Sequence, residues 1–122
     1  MKNLRSEIIK YSKMLNSKKL SSLRSGNISL RYKDGFLITP SGKKYSALKN
    51  NDIVFVSLNG YFDKKKGIPS SECKFHQDIY KNKKEAKAIV HAHSTCATAV
   101  STHKRGIPSF HYMVAMAGGH DI

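Results

Sequence analysis

Residues 28–39 read ISLRYKDGFLIT. The runs 28–32 and 36–39 are rich in β-branched, aromatic and aliphatic residues, with Lys33, Asp34 and Gly35 between them. The Asp-Gly pair favours the positive backbone angles of a tight hairpin turn, so two antiparallel strands are expected. Upstream, Leu4, Ile8, Tyr11 and Leu15 recur at steps of four, three and four. That spacing places apolar side chains on one face of a helix of about four turns. Downstream, TPSG (39–42) makes a turn, YSALK (45–49) a helical turn, and IVFVSL (53–58) a third strand ended by Asn59 and Gly60. After the basic loop DKKKG (63–67), Pro69 and Ser70 start a helix. Glu72 falls in its first turn, Phe75 and Ile79 continue it, and the lysine run KNKK (81–84) closes it. AIV (88–90) then leads as a strand into His91 and His93, and STCATAVSTHK (94–104) gives a helix of small residues able to pack close to a sheet. Gly118 and Gly119 mark a further turn, and residues 120–122 begin another element. Helices alternating with mostly hairpin-linked strands predict a mixed α/β (α+β) layered domain spanning 1–122.

A chain of 122 residues fits one domain, since domains run from about 50 to 250 residues. With 39% hydrophobic and 25% charged residues, the composition is that of a globular protein. The net charge of +14 raises nucleic acid, an acidic membrane surface and phosphate-bearing substrates as partners. The charge comes from 18 Lys against 4 Arg, whereas base-edge and buried phosphate recognition leans on the planar guanidinium. The reading is a solvated lysine surface, with no dedicated nucleic-acid site. The apolar runs FLI, IVFV and AIV fall far short of the roughly 20 residues that cross a bilayer, so no membrane span is expected. The N-terminus is charged throughout and has no small-residue cleavage site, so it does not resemble a secretory signal, and a cytoplasmic location follows. Cys73 and Cys96 are isolated, and in a reducing compartment they are expected to stay unpaired.

Candidate chemistry lies in two short stretches. On a strand, residues i and i+2 point to one face, so His91 and His93 present two imidazoles side by side. Zinc takes neutral imidazole at about 2.0–2.1 Å, and catalytic zinc usually has three protein ligands and an open position. A pair of histidines alone reads equally well as two polar residues at a strand end. Glu72, just after two serines, can be a general base, a metal ligand or a helix-dipole partner. Ser70 and Ser71 can be simple helix caps, or can join free backbone N–H groups in binding phosphate oxygens. His76 is read as a surface or packing histidine, and Cys96 as a small packing group.

Ser25 to Ser29 (SGNIS), Leu37 to Gly42 (LITPSG), Pro69 to Glu72 (PSSE) with Phe75 and His76, Ile89 to His93 (IVHAH) and His111 to Gly119 (HYMVAMAGG) stand in order along the chain. In these blocks the sequence resembles the class II aldolase/adducin family, and most closely its L-fuculose-phosphate aldolase branch. The resemblance implies a layered fold with a mainly antiparallel central sheet flanked by helices. It also implies a substrate phosphate site at Gly26, Asn27, Ser41, Gly42, Ser70 and Ser71. It makes Glu72 the catalytic acid/base, able to approach the metal, and His91 and His93 two of three ligands to Zn2+. Tyr112 matches a tyrosine that reaches a neighbouring subunit's site and helps protonate the leaving aldehyde, so homo-oligomers, often tetramers, are implied. The implied reaction is reversible aldol cleavage of a ketose 1-phosphate, of the L-fuculose 1-phosphate type, to dihydroxyacetone phosphate and an aldehyde. Relatives within the family also include sugar-phosphate epimerases, a methylthioribulose-phosphate dehydratase and metal-free, adducin-like binding proteins.

The family's domain is longer, and its third zinc histidine falls beyond residue 122, so the resemblance covers an N-terminal portion. Three readings stay open: a degraded or frameshifted product, inactive alone; half of a split protein that joins a separately encoded C-terminal half; or a site repaired by His111, His120 or Cys96. New ligands would have to sit within tenths of an ångström of ideal metal distances, which disfavours the last.

Overall fold

The computed structural model describes residues 3–22, 24–116 and 118. Helix α1 (Leu4–Ser17) leads into strands β1 (Asn27–Tyr32) and β2 (Gly35–Ile38), then β3 (Val54–Ser57), helix α2 (Cys73–Asn82), strand β4 (Ala88–His91) and two short helices, α3 (Thr95–Ser101) and α4 (Tyr112–Met116). The four strands form one antiparallel sheet in the order β3-β2-β1-β4. Helices α1 and α2 cover its two faces. The expected layered α+β architecture is what the chain adopts.

Alternation along the strands sorts the core into two halves. Ile28, Leu37 and Ile53 point to one face and pack with Ile8 and Leu15 of α1, while Tyr45 and Leu48 close the edge. Phe36, Ile38, Val54 and Val56 point to the other face and pack with Tyr80 of α2. Strand β2 is buried at all four positions, as expected of a strand covered on both faces.

Several local expectations shift. In α1, Tyr11 is exposed and Ser12 is buried in its place. The Ser12 hydroxyl donates to the Ile8 carbonyl at 2.8 Å, so its polar group is satisfied without water, while the Tyr11 ring keeps contact with solvent and with the Lys10 ammonium. The hairpin forms with Tyr32 opposite Gly35, but the positive φ falls on Lys33, at +50°. Gly35 is instead a point of close approach: a Cβ there would lie 2.2 Å from the Val56 carbonyl oxygen of the neighbouring strand.

Helix α2 begins at Cys73, later than Pro69. Residues 69–70 are still tied to the sheet side, with Pro69 bridged to Pro40 and the Ser70 N–H donating to the Thr39 carbonyl at 3.0 Å. Glu72 is therefore the residue that precedes the helix, and its side chain caps nothing. The buried stripe of α2 is His76 and Tyr80, one residue beyond the expected Phe75 and Ile79. Helix α3 is exposed along its length, Cys96 included, so neither the small-residue packing nor the buried thiol is realised among the described residues. Gly119 and residues 120–122, His120 among them, lie outside the described residues.

Every described lysine is exposed, as a solvated basic surface requires. Cys73 and Cys96 are both free thiols. Among the described residues no helix is long and apolar enough to cross a membrane.

Candidate active site

Glu72, His91 and His93 come from separate elements and meet at one end of the sheet. Glu72 sits on the turn entering α2, His91 ends β4, and His93 follows it. One potential ligand atom from each lies within 4.8 Å of the others. Glu72 Oε2 is 3.0 Å from His91 Nδ1, and the two imidazole rings are 4.6 Å apart between centroids. Two imidazoles and a carboxylate suit a divalent ion of the zinc type, and the side chains are close enough for small rotations to bring all three to it. Glu72 thus stands with the two histidines in one group that could hold a metal ion.

The loop after α1 holds these groups in place. The buried Ser21 hydroxyl accepts the His93 backbone N–H at 3.0 Å. Gly26, with φ +79°, passes so near the end of β4 that a Cβ would lie 2.5 Å from the His91 carbonyl oxygen. The phenol of Tyr45 donates to the Gly26 carbonyl. Burial, with the Glu72 charge adding to it, pushes that phenol up to about 12, which keeps it a donor. On the other side, Phe75 packs edge-on against the His91 ring at 5.3 Å.

Next to the carboxylate is a cavity of about 230 Å³. Gly26, Asn27, Ser41, Gly42, Ser70 and Ser71, all six positions assigned to phosphate by resemblance, line it together with Glu72 and His93. Two turns, 40–42 and 70–72, form its floor. The Ser41 N–H donates to the Ile68 carbonyl at 3.0 Å, which joins one turn to the segment leading into the other. Arg24 also lines the cavity, and its Nη1 donates to the Gly42 carbonyl at 3.0 Å. It is the sole lysine or arginine among the lining residues. Sequence reasoning passed over it, although a cation two residues before Gly26 was a visible signal.

Asn27 does more than line the cavity. It is buried, and its Nδ2 donates to Glu72 Oε2 at 2.6 Å and lies 3.4 Å from His91 Nδ1. Its Oδ1 accepts from Nε2 of His76. His76, expected at the surface or in simple packing, is completely buried. Its Nδ1 is 2.7 Å from the Ser29 hydroxyl, which in turn is 2.8 Å from the Tyr80 phenol. Burial, helped by the charge of His91 and opposed by that of Glu72, pushes the His76 imidazole down to about 4. The signal for this arrangement was the spacing: His76 and Tyr80 stand four residues apart and so share one side of α2, with Glu72 four residues before His76 on the turn entering it.

Tyr112 stands apart from the cluster. It is exposed on α4, stacked on the His111 ring at 4.4 Å. His111 accepts the Met113 N–H, and neither His111 nor Cys96 joins the Glu72, His91 and His93 group among the described residues. A larger open concavity of about 760 Å³ lies between the start of α1 and the 61–66 loop, and Asp63 is the one carboxylate, histidine or cysteine among its lining residues. The chemistry-bearing side chains thus gather at the smaller cavity.

Comparison with known proteins points the same way. The family described as Class II Aldolase and Adducin N-terminal domain matches residues 6–122. The L-fuculose phosphate aldolase of Escherichia coli (strain K12) is 48% identical over 98 residues, covering 80% of this chain and 45% of that protein. A 5-methylthioribulose-1-phosphate/5-deoxyribulose-1-phosphate aldolase of Rhodospirillum rubrum is 43% identical over 119 residues, covering 98% and 53%. Among solved structures, an L-fuculose 1-phosphate aldolase superposes with a TM-score of 0.87 at 35% identity, covering 100% of this chain and 58% of that one. The L-fuculose-1-phosphate aldolase of Thermus thermophilus gives 0.73 at 32% identity, covering 88% and 55%. The chain spans about half the length of the curated relatives it matches.

Proposed function

The chain belongs to the class II aldolase and adducin family, and on that basis we propose that it carries the phosphate cradle, the acid/base and two zinc ligands of a cytoplasmic aldolase. The reaction is reversible cleavage of a ketose 1-phosphate, of the L-fuculose 1-phosphate type, to dihydroxyacetone phosphate and an aldehyde. The observation that carries this reading is the meeting of Glu72, His91 and His93 beside a cavity lined by two serine- and glycine-bearing turns.

In this reading, Gly26, Asn27, Ser41, Gly42, Ser70 and Ser71 bind the substrate phosphate. The phosphate is remote from the bond that breaks, so its binding energy orients the reacting carbons against Glu72. His91, His93 and Glu72 would hold the zinc ion. When bound, zinc supplies Lewis-acid stabilisation where negative charge develops on the substrate oxygens. Glu72 moves the proton on the dihydroxyacetone phosphate side, and Asn27 Nδ2 keeps its carboxylate directed towards the histidines. Tyr112, exposed on α4, takes up the proton of the hydroxyl that becomes the aldehyde carbonyl in cleavage and returns it to the aldehyde oxygen in condensation, in the site of a neighbouring subunit within a tetramer. The third zinc histidine comes from outside residues 1–122, from a C-terminal half that completes the assembly.

The relative named for 5-methylthioribulose 1-phosphate and 5-deoxyribulose 1-phosphate favours a second substrate of the same class, a ketose 1-phosphate without the terminal hydroxyl. A sugar-phosphate epimerase or methylthioribulose-phosphate dehydratase would use the same metal and phosphate groups. A metal-free binding protein of the adducin type has no physical need for Glu72, His91 and His93 together.

The test is zinc per chain beside dihydroxyacetone phosphate release, measured on the chain assembled with a C-terminal half from a relative. Zinc that disappears in a His91→Ala, His93→Ala double variant and cleavage of either ketose 1-phosphate are expected. Glu72→Gln keeps the shape and removes the base, so turnover is lost while the fold remains. An assembled protein with bound zinc that cleaves neither sugar refutes the aldolase reading.

A further inference from the structure

The Glu72 carboxylate is the end of a hydrogen-bond chain that runs back through the sheet into the core. A carboxylate oxygen accepts and cannot donate, so the Asn27 atom 2.6 Å from Glu72 Oε2 is the amide nitrogen. This fixes the amide: Oδ1 faces His76, and the ring must donate from Nε2. A neutral imidazole carries one ring proton, leaving Nδ1 bare as an acceptor. The Ser29 hydroxyl, 2.7 Å away, therefore donates to it. With its one proton spent, Ser29 can only accept from the Tyr80 phenol at 2.8 Å. Every donor in the series Tyr80, Ser29, His76, Asn27 points one way, towards Glu72.

We propose that His76 is a positioning residue: by locking the Asn27 amide it sets the orientation of the Glu72 carboxylate towards His91 and the cavity. A half-turn of the amide would bring Oδ1 against Glu72 Oε2 and –NH2 against the His76 N–H, two repulsive contacts in place of two hydrogen bonds. The exchange is penalised most at the buried His76 contact, where low dielectric strengthens the repulsion; the contact with the part-exposed Glu72 carboxylate adds to it. Tyr80 is wedged by Phe36 at 5.2 Å and by the Arg31 guanidinium over its ring at 4.7 Å. The far end of the chain is thus anchored in the core of the sheet and not in solvent. Asn27 and Ser29 are two residues apart on β1 and share its α2-facing side, so one strand carries both intermediaries.

The hydrogen-bond chain stands by itself, whereas its catalytic consequence rests on the aldolase reading, and two measurements separate them. Long-range nitrogen–proton correlation of the histidine rings in the intact labelled chain at neutral pH should show His76 protonated at Nε2 and bare at Nδ1. A ring protonated at Nδ1 overturns the proposal, whatever reaction the protein performs. Ser29→Ala removes the donor to Nδ1 but leaves Asn27 Oδ1 facing Nε2, so the ring should keep its Nε2 proton while the Nδ1 signal alone shifts; an Nδ1 signal unchanged in that variant also counts against the chain. In the assembled enzyme, His76→Leu should lower kcat by about tenfold or more with KM nearly unchanged, because misplacing a reacting group by under an ångström acts on the chemical step. His76→Gln, whose amide can donate to Asn27 and accept from Ser29, should restore most of the loss. Equal kcat in all three proteins, or a loss confined to KM, refutes the positioning role. Wild-type assembly without cleavage would remove the aldolase reading and leave the tautomer result to decide the chain.

Discussion

Replacing Gly26 by alanine tests whether the loop after α1 sets the metal-binding end of β4. The backbone there has φ +79°, and the new Cβ would lie 2.5 Å from the His91 carbonyl oxygen and 2.7 Å from Ser21 Oγ. Left-handed backbone costs a residue with a Cβ roughly 1–2 kcal/mol, and overpacking a filled site adds about 1–3 kcal/mol. The expected loss is about 2–5 kcal/mol of folding stability, a large share of the roughly 5–15 kcal/mol that holds a domain together. Gly42 provides the control, since its φ is +72° but a Cβ would meet nothing within 4 Å. Gly42→Ala should therefore cost the backbone part alone, roughly 1–2 kcal/mol. Urea unfolding of both variants, read by linear extrapolation at a common slope, gives the difference. Relief of the Gly26→Ala clash must displace Ser21 or the end of β4, which together position His91 and His93, so metal affinity should fall as well. Equal destabilisation by the two substitutions, with metal affinity intact, would show that the close approach at Gly26 does not hold the site.

His76 gives stability a pH dependence. The unfolded imidazole takes up a proton near its ordinary value of 6.5, while the buried ring resists down to about 4, so stability is full above 6.5 and falls by about 3 kcal/mol as pH drops through that window. Denaturation midpoints between pH 4 and 7 should show this slope, and His76→Gln should flatten it. Arg31→Ala removes three hydrogen bonds to carbonyls, of Tyr80, Lys83 and Ala86, that tie the end of α2 and the segment beyond it to β1. It should cost about 2–4 kcal/mol, because bonds from a charged donor are stronger than neutral ones. Arg31→Lys should recover little of this, since one ammonium cannot reproduce the fork; full recovery would discount the geometry. Arg24→Gln should weaken binding of dihydroxyacetone phosphate several-fold and that of dihydroxyacetone hardly at all, and equal effects on both would deny Arg24 a role in reading the phosphate charge.

Much of this protein is written locally. The hairpin at 28–39, helix α1 and the β-branched run before Asn59 each depend on neighbours in sequence, and each element forms, although Ser12 replaces Tyr11 on the buried face of α1 and the positive φ of the hairpin falls on Lys33. Departures arise where a local preference meets a tertiary constraint. The start of α2 is delayed because residues 69–70 are held by the turn at 39–40. Its buried stripe moves to His76 and Tyr80 because β1 offers Ser29, a partner for polar tips that Phe75 and Ile79 lack. Tyr11 turns outward because Ser12 can satisfy its own hydroxyl against the helix.

The elements and the pair His91 and His93 were legible along the chain, because strand period and turn chemistry are short-range properties, while the six positions that line the small cavity were implied by the resemblance of ordered motifs. That Asn27 links Glu72 to His91, that Arg24 enters the same cavity and that His76 stands behind Asn27 became visible only once the chain was folded. Glu72 and His91 are 19 residues apart, and Asn27 and His76 are 49 apart. Arg24 meets Glu72 through a shared cavity wall, and no periodicity reports a contact across such separations. They exist because antiparallel pairing of β1 with β4 brings Asn27 opposite His91, and because α2, packed on that face of the sheet, lowers Glu72 and His76 onto the same few ångströms.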